Sequence, residues 1–256
     1  MCAVAVCGVT QLHDVVYIVR FDSSTILRFN AITHQQLTDI DVKDLRYARD
    51  IAACQQASLV YVADYDDYVW RVSADGADIK RWLPKSLLGT FKPRSLSVTS
   101  TRLLVTSLYS RQLMQFDAGG DELRRVQLPD DIDPRHAVES PTGTFIVSHD
   151  NTQLKQDQVS EVNMDGKVLR QFTGSRLSSL GSSSRIAVDS LGNIFVLDAD
   201  NHRILLLDAQ LKLRRCIIEE HQLNYKRPWR LCYSEQTGQL LVVLYQHSYM
   251  FDVLRR

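Results

Sequence analysis

The chain has 256 residues, of which 45% are hydrophobic, so it is long enough and apolar enough to bury a large core. Its 30 basic and 30 acidic side chains give a net charge of +0, which disfavours a role driven by bulk electrostatics. The sequence has no apolar run long enough to span a membrane and no charged N-terminal region followed by an apolar one, so neither a membrane segment nor a secretory leader is predicted. The five cysteines lack paired spacing, which favours a reduced, cytoplasmic protein.

Taken from the N-terminus, six short apolar runs open similar segments and predict the first strands of a repeat. They lie at residues 4–6, 50–53, 95–98, 136–138, 185–188 and 230–232. Successive runs are about 40 to 50 residues apart, a spacing typical of four-stranded blades. A single meander cannot bury both of its faces alone, whereas radial repetition packs each one against the next. The sequence therefore predicts an all-β fold, a six-bladed β-propeller of four-stranded antiparallel blades.

The whole chain is predicted to be one propeller domain. Its blades are expected at residues 1–44, 45–90, 91–130, 131–176, 180–222 and 226–256. Blade four is predicted to carry the one sizeable insertion between its second and third strands, at residues 149–158. The last blade is expected to lack its fourth strand in this chain, which favours a piece of a longer polypeptide.

The sharpest copy of the repeat is residues 184–208, SRIAVDSLGNIFVLDADNHRILLLD. Its first apolar strand ends in Asp189, Gly192 lies in the following turn, Asp198 closes the second strand, and Arg203 opens the third. This pattern resembles an NHL repeat, and the other blades match it in part. The chain is thus similar to the C-terminal propeller of many tripartite-motif proteins.

The resemblance implies a non-catalytic recognition or scaffold propeller that binds a protein or peptide through the face that carries the inter-blade links, a role that also fits the substrate-recognition part of a ubiquitin-ligase-type protein. These residues contain no ring finger, B-box or coiled coil, so a ligase module would lie outside the chain. The resemblance also implies a structural turn clamp between Asp198 and Arg203. No cofactor is expected. The propeller is expected to be monomeric, with any oligomerisation arising from segments outside the chain.

Arginines recur where an inter-blade link meets a first strand, and these links are expected to share one face with the turns between second and third strands. The recurring positions are Arg49, Arg94, Arg135, Arg185 and Arg230. Just outside them lie Lys92, Tyr225, Lys226, Arg227 and Trp229. This set is the predicted partner-binding face. The alternative is that each arginine pairs with a nearby carboxylate, such as Asp50, Asp189 or Glu139, and ties one blade to the next.

Two other functions stay open. Guanidinium groups beside aromatic rings also suit single-stranded or stem-loop RNA. A metal-dependent lyase or lactonase is a minor alternative, for which His136, His149 and His247 would have to converge on one face. The histidines show no HExxH or paired metal spacing, so no catalytic residue or metal site is predicted. The acidic turn formed by residues 64–67 lacks EF-hand spacing and is interpreted as a solvated turn.

Overall fold

The computed structural model describes residues 6–83, 91–107, 109–172, 185–223, 227–244 and 252–255. Two compact units divide the chain. The first comprises Met1–Ser110 and Met114–Arg125, and the second comprises Arg111–Leu113 and Val126–Arg256. Within the described residues the regular structure is β, apart from one 3₁₀ helix at Glu220–Leu223.

The first three sheets are antiparallel meanders in which strands that are consecutive along the chain pair with each other. The first sheet contains β1 (Val6–Leu12), β2 (Val15–Arg20), β3 (Thr25–Asn30) and β4 (Ile40–Asp41). The second contains β5 (Asp50–Cys54), β6 (Leu59–Ala63), β7 (Val69–Ser73) and β8 (Ile79–Leu83). The third contains β9 (Pro93–Thr99), β10 (Arg102–Ser107), β11 (Gln112–Phe116) and β12 (Glu122–Gln127).

The remaining sheets follow the same order along the chain. The fourth contains β13 (Ile132–Glu139), β14 (Phe145–Asn151), β15 (Gln156–Val162) and β16 (Val168–Phe172). The fifth contains β17 (Arg185–Val188), β18 (Ile194–Asp198), β19 (Arg203–Leu207) and β20 (Leu213–Ile218). The last contains β21 (Pro228–Ser234), β22 (Gln239–Leu244) and β23 (Asp252–Arg255).

The prediction of six four-stranded blades is wrong. The described residues form five four-stranded sheets, and the last sheet has three strands. The error arose because the repeat was counted by its apolar first strands, which say nothing about outer strands. Outer strands carry little apolar signal: β4 is only two residues long, and three successive residues of β16 are exposed. The number of repeat openings is therefore not the number of four-stranded blades.

The insertion predicted at residues 149–158 is instead a longer hairpin. Strand β14 continues to Asn151 and β15 begins at Gln156, so His149 pairs with Gln158 inside the ladder. The polar residues that suggested a loop are accommodated because they hydrogen-bond inside the sheet. The Asn151 amide, for example, donates to the Gln158 side chain over 3.2 Å.

Second strands are buried on both faces. In the first unit, Val60 and Val62 of β6 pack in one hydrophobic core, whereas Tyr61 and Ala63 pack in another. In the second unit, β18 divides its residues in the same alternating way between two cores. Because successive side chains of a strand point to opposite faces, this alternation places each second strand between two packed layers.

The described part of the chain has no helix long and apolar enough to cross a membrane. Its cysteines, Cys7, Cys54, Cys216 and Cys232, are free thiols, and the first two are buried. Cys2 lies outside the described residues.

The fold places one glycine where only glycine fits. Gly166 has a φ of 82°, and a Cβ there would overlap the carbonyl oxygen of Gln127. We expect Gly166→Ala to lower the free energy of unfolding by about 3 kcal/mol or more, because backbone strain and a backbone clash add. The matched control is Gly238→Ala, where φ is 63° but nothing lies within 4 Å, and the loss should be about 1 kcal/mol. Urea unfolding followed by circular dichroism compares the two variants, and equal losses would contradict the predicted clash.

Candidate functional site

Exposed aromatic side chains follow the second strands of three consecutive blades in the first unit. Phe21 follows β2 and is 43% exposed, Tyr65 follows β6 and is 54% exposed, and Tyr109 follows β10 and is 72% exposed. Large aromatic rings are usually buried, and they are enriched where proteins bind partners. Their recurrence at one repeat position therefore marks these turns as a candidate surface. This surface was not predicted from the sequence, although the aligned residues that follow each second strand carry the signal.

A tyrosine from an inter-blade link joins two of these turns. Tyr47 lies between β4 and β5, with its ring centroid 5.1 Å from that of Phe21 and 6.2 Å from that of Tyr65. Its φ of 51° is uncommon for a bulky residue. The backbone of Tyr65 donates to the carbonyl of Arg46 over 3.3 Å, which fastens the turn to the link. Phe21, Tyr47 and Tyr65 are called the aromatic face below.

A cleft of about 520 Å³ adjoins the aromatic face and combines aromatic and charged groups. Its lining residues are Asp44, Arg46, Tyr65, Asp66, Asp67, Tyr68, Arg81 and Lys92. They come from the link between β4 and β5, the turn between β6 and β7, strand β8, and the link before β9. As expected, links and the turns between second and third strands meet at one place in this unit.

A buried carboxylate organises the floor of the cleft. Asp67 is only 3% exposed, and its carboxylate lies 3.3 Å from Lys92 Nζ and 3.9 Å from a terminal nitrogen of Arg49. The Arg49 guanidinium also donates to the carbonyl of Pro93 over 2.8 Å and lies 4.3 Å from the ring centroid of Tyr65. Two predicted site residues, Arg49 and Lys92, thus hold one acidic side chain, and Arg49 also supports the aromatic face.

On another wall of the cleft, Arg81 is held by aromatic rings. Its guanidinium carbon lies 4.7 Å from the ring centroid of Tyr68 and 5.0 Å from that of Trp70. One of its terminal nitrogens is 3.7 Å from the carboxylate of Asp44. Stacking on two rings restricts this flexible side chain while leaving it 45% exposed. Sequence reasoning missed Arg81, because it lies on a fourth strand whose pairing the repeat pattern does not specify.

The acidic turn at residues 64–67 is not a solvated turn throughout. Asp64 is fully buried and accepts hydrogen bonds from Trp70 Nε1 over 2.7 Å and from the backbone of Tyr68 over 2.9 Å. Burial raises the pKa of Asp64, and these two hydrogen bonds act in the opposite direction. Only Asp66 of the turn's carboxylates is exposed. The prediction of a solvated turn is wrong because the turn folds inward onto Trp70 and Lys92.

The same strand-end position holds Asp198 in the second unit. Arg203 Nε lies 2.7 Å from Asp198 Oδ2, and the Asn201 amide donates to both carboxylate oxygens over 2.8 Å. Asp198 is fully buried. Asp64 and Asp198 therefore fix their turns through similar hydrogen bonds, although Trp70 supplies the donor in one blade and Arg203 in the other.

The other predicted cations of the binding face are also engaged. In the first unit, Arg94 has an interaction partner. In the second unit, Arg135 contacts Asp150, and Arg185 is buried and has a partner. Asp50, named above as a candidate arginine partner, accepts a hydrogen bond from the backbone of Leu96 over 2.8 Å, which ties β5 to β9.

Near β21, the second unit holds Trp229 between two guanidinium groups. Arg230 lies 4.8 Å from the ring centroid and Arg227 5.8 Å. Arg227 also contacts Asp200 in the turn between β18 and β19. Tyr225 and Lys226, both predicted to belong to the binding face, lie outside the described residues.

Two of the three histidines considered for catalysis lie in the fourth blade. His136 is on β13, and His149 is fully buried on β14, where its Nε2 is 2.8 Å from Ser160 Oγ. Burial lowers the pKa of His149 from 6.5 to about 4, and the nearby carboxylates of Asp131 and Asp133 oppose the shift. His247 lies outside the described residues. Within the described ranges, no group of three or more His, Cys, Asp or Glu is placed to hold a metal ion.

No family model matches the chain, and no curated protein matches it. The solved structures that are similar to it include the following three. A structure of a nidogen/laminin complex has a TM-score of 0.68 at 16% identity, covering 89% of this chain and 84% of that chain. Hydrazine synthase of Kuenenia stuttgartiensis has a TM-score of 0.65 at 13% identity, covering 100% and 97%. Virginiamycin B lyase from Staphylococcus aureus has a TM-score of 0.66 at 12% identity, covering 94% and 78%.

The chain has a β-propeller fold. At these identities the likeness extends to the fold alone, and it does not show the NHL or tripartite-motif family. The neighbours include two that are named as enzymes, so the fold by itself does not decide between recognition and catalysis.

The buried His149 predicts a pH dependence of stability. Because its folded pKa of about 4 lies below 6.5, its contribution is present above pH 6.5 and is lost as the pH falls through 4. We expect the free energy of unfolding to drop by about 3 kcal/mol over this range from His149 alone. Urea unfolding at a series of pH values should show a shallower acid slope for His149→Gln. The control His34→Gln, at an exposed histidine, should keep the wild-type slope, and identical slopes for all three proteins would contradict the assignment.

Proposed function

We propose that this chain is a non-catalytic recognition module that binds a protein or peptide partner through the link-bearing face of its first unit. The observation that carries the proposal is the aromatic face beside the charged cleft. Tyrosine and arginine are the residue types that most often supply the binding energy of protein interfaces. Here the exposed ring of Tyr47 packs against those of Phe21 and Tyr65, and Arg49 lies over the ring of Tyr65.

The charge of the cleft favours a protein partner over RNA. Three basic residues and three acidic residues line the cleft, and Arg49 adjoins it. Protein interfaces accommodate both signs of charge, whereas a nucleic-acid surface is expected to be strongly basic. RNA binding through the same aromatic rings is the alternative, and the exposed carboxylates of Asp44 and Asp66 disfavour it.

The resemblance of blade five to an NHL repeat supports a finer version of the proposal. In that version the chain is the substrate-recognition part of a ubiquitin-ligase-type protein and acts in the cytoplasm. The structural likeness to a propeller in a nidogen/laminin complex is compatible with a protein-binding role, because that complex is one between proteins.

A metal-dependent, lyase-like activity is the minor alternative. It would need histidines that are accessible to a metal or a substrate. His149 does not meet this need, because it is fully buried and its Nε2 is engaged with Ser160.

Selection of a random displayed peptide library on the immobilised protein tests the proposal. We expect enriched peptides to bind the wild type about ten-fold or more tightly than the Tyr47→Ala, Tyr65→Ala double variant, because both rings are central to the aromatic face. Ile32→Ala is the matched control, since Ile32 is also a highly exposed hydrophobic residue of the first unit but lies outside this face. Circular dichroism verifies that each variant folds. The proposal fails if no peptide is enriched, or if the enriched peptides bind the double variant as tightly as the wild type.

A further inference from the structure

We propose that the cleft of the first unit recognises an acidic side chain, an Asp or Glu of the partner peptide, next to an apolar residue that packs on the aromatic face. This inference rests on the proposed function and adds the chemistry of the ligand. It is supported by one arrangement of side chains. The aromatic face lies directly beside cations that the protein's own carboxylates do not fully neutralise.

The floor of the cleft presents positive charge to a ligand. Asp67 is buried, so a ligand cannot reach its carboxylate, yet two cations share it: Lys92 at 3.3 Å and Arg49 at 3.9 Å. Arg49 is itself largely buried, whereas the Lys92 side chain is 45% exposed. The ammonium of Lys92 is therefore the part of this cluster that a ligand meets, and it retains part of its positive charge.

A ligand in the cleft can reach more cations than carboxylates. Lys92, Arg46 and Arg81 are the accessible cations of the lining. Asp44 and Asp66 are the accessible carboxylates, and Asp44 already lies beside Arg81. Three cations therefore face two carboxylates, and one further carboxylate from a ligand would balance the cleft.

Two of these cations, Arg81 and Arg46, belong to residues that neighbouring groups hold in place. Arg81 is stacked on the rings of Tyr68 and Trp70, so little side-chain entropy is lost when it binds. Arg46 is adjacent to Tyr47, and its carbonyl accepts a hydrogen bond from the backbone of Tyr65. A peptide residue packed on the aromatic face would thus have neighbours within reach of Arg46 and Lys92.

The same charges argue for a peptide carboxylate rather than a chain of phosphates. RNA presents a negative charge at every nucleotide, and the exposed carboxylates of Asp44 and Asp66 would repel some of them. A single acidic side chain avoids that repulsion, because it requires only one position between the cations.

The test uses three pools of fluorescent decapeptides, each acetylated at the N-terminus and amidated at the C-terminus. Every pool has Trp fixed at position 4 and random neutral residues elsewhere, and the pools differ only at position 6, which is Glu, Gln or Lys. Fluorescence anisotropy with the full chain measures the dissociation constant of each pool. We expect the Glu pool to bind about three-fold more tightly than the Gln pool and the Lys pool to bind most weakly.

The variants Lys92→Gln and Arg46→Gln should each reduce the preference for Glu over Gln. Arg46 serves as the second variant because its side chain makes no ion pair among the described residues, so its replacement leaves the buried Asp67 cluster intact. Lys80→Gln is the matched control, since Lys80 is an exposed lysine of β8 outside the cleft, and it should keep the full preference.

The outcomes separate this inference from the proposed function. If the pools bind, and Tyr47→Ala weakens all of them, but Glu, Gln and Lys bind equally, the acidic specificity is wrong and the proposed function stands. If no pool binds the wild type, the proposed function fails as well. If a single-stranded 12-nucleotide RNA displaces the Glu pool at lower concentration than the unlabelled peptide does, the ligand is nucleic acid and the inference is overturned.

Discussion

The structure depends on one constraint, which is that the second strand of a blade is apolar on both faces and must lie between two packed layers. Val60 and Val62 of β6 face one core while Tyr61 and Ala63 face the other, and β18 repeats the arrangement. A blade with such a strand cannot be an isolated sheet, because either face alone would expose a row of large hydrophobic side chains to water. Because the side chains of the second strands pack in the two cores, the residues that can contact a partner are those at the strand ends.

At those strand ends, the backbone is fixed by buried polar groups rather than by apolar packing. Asp64 receives hydrogen bonds from Trp70 and Tyr68, and Asp198 receives them from Arg203 and Asn201. Burying a carboxylate is unfavourable unless hydrogen-bond donors surround it. Each Asp therefore favours the turn conformation that brings these donors to its carboxylate. The turn between β6 and β7 can then present Tyr65 to solvent on a rigid base.

Sequence reasoning succeeded where the apolar period was strong and failed where it was weak. The openings at residues 50–53 and 185–188 were located because each contains an unbroken apolar run, and they correspond to β5 and β17. The two-residue β4 and the exposed β16 could not be located in the same way. The count of four-stranded blades was wrong because an apolar first strand, as at residues 230–232, does not show how many strands follow it, and the last described sheet has three. Arg49 was found because it recurs at a repeat position, whereas Arg81 was missed. Its place in the cleft depends on the pairing of β8 with β7, and in that pairing a register shift occurs between Val69 and Trp70.

In this cleft, the same cation can stabilise the fold and also present its charge at the surface. Lys92 neutralises a carboxylate that the fold has buried, and for that reason its ammonium is held at the cleft rather than moving freely in solvent. Arg49, whose side chain is largely buried, lies near the same carboxylate, and its guanidinium also lies over the ring of Tyr65. An ion pair with a buried member thus positions a second, exposed charge beside an aromatic face. In a chain of zero net charge, this local arrangement supplies the asymmetry that recognition of a charged partner requires.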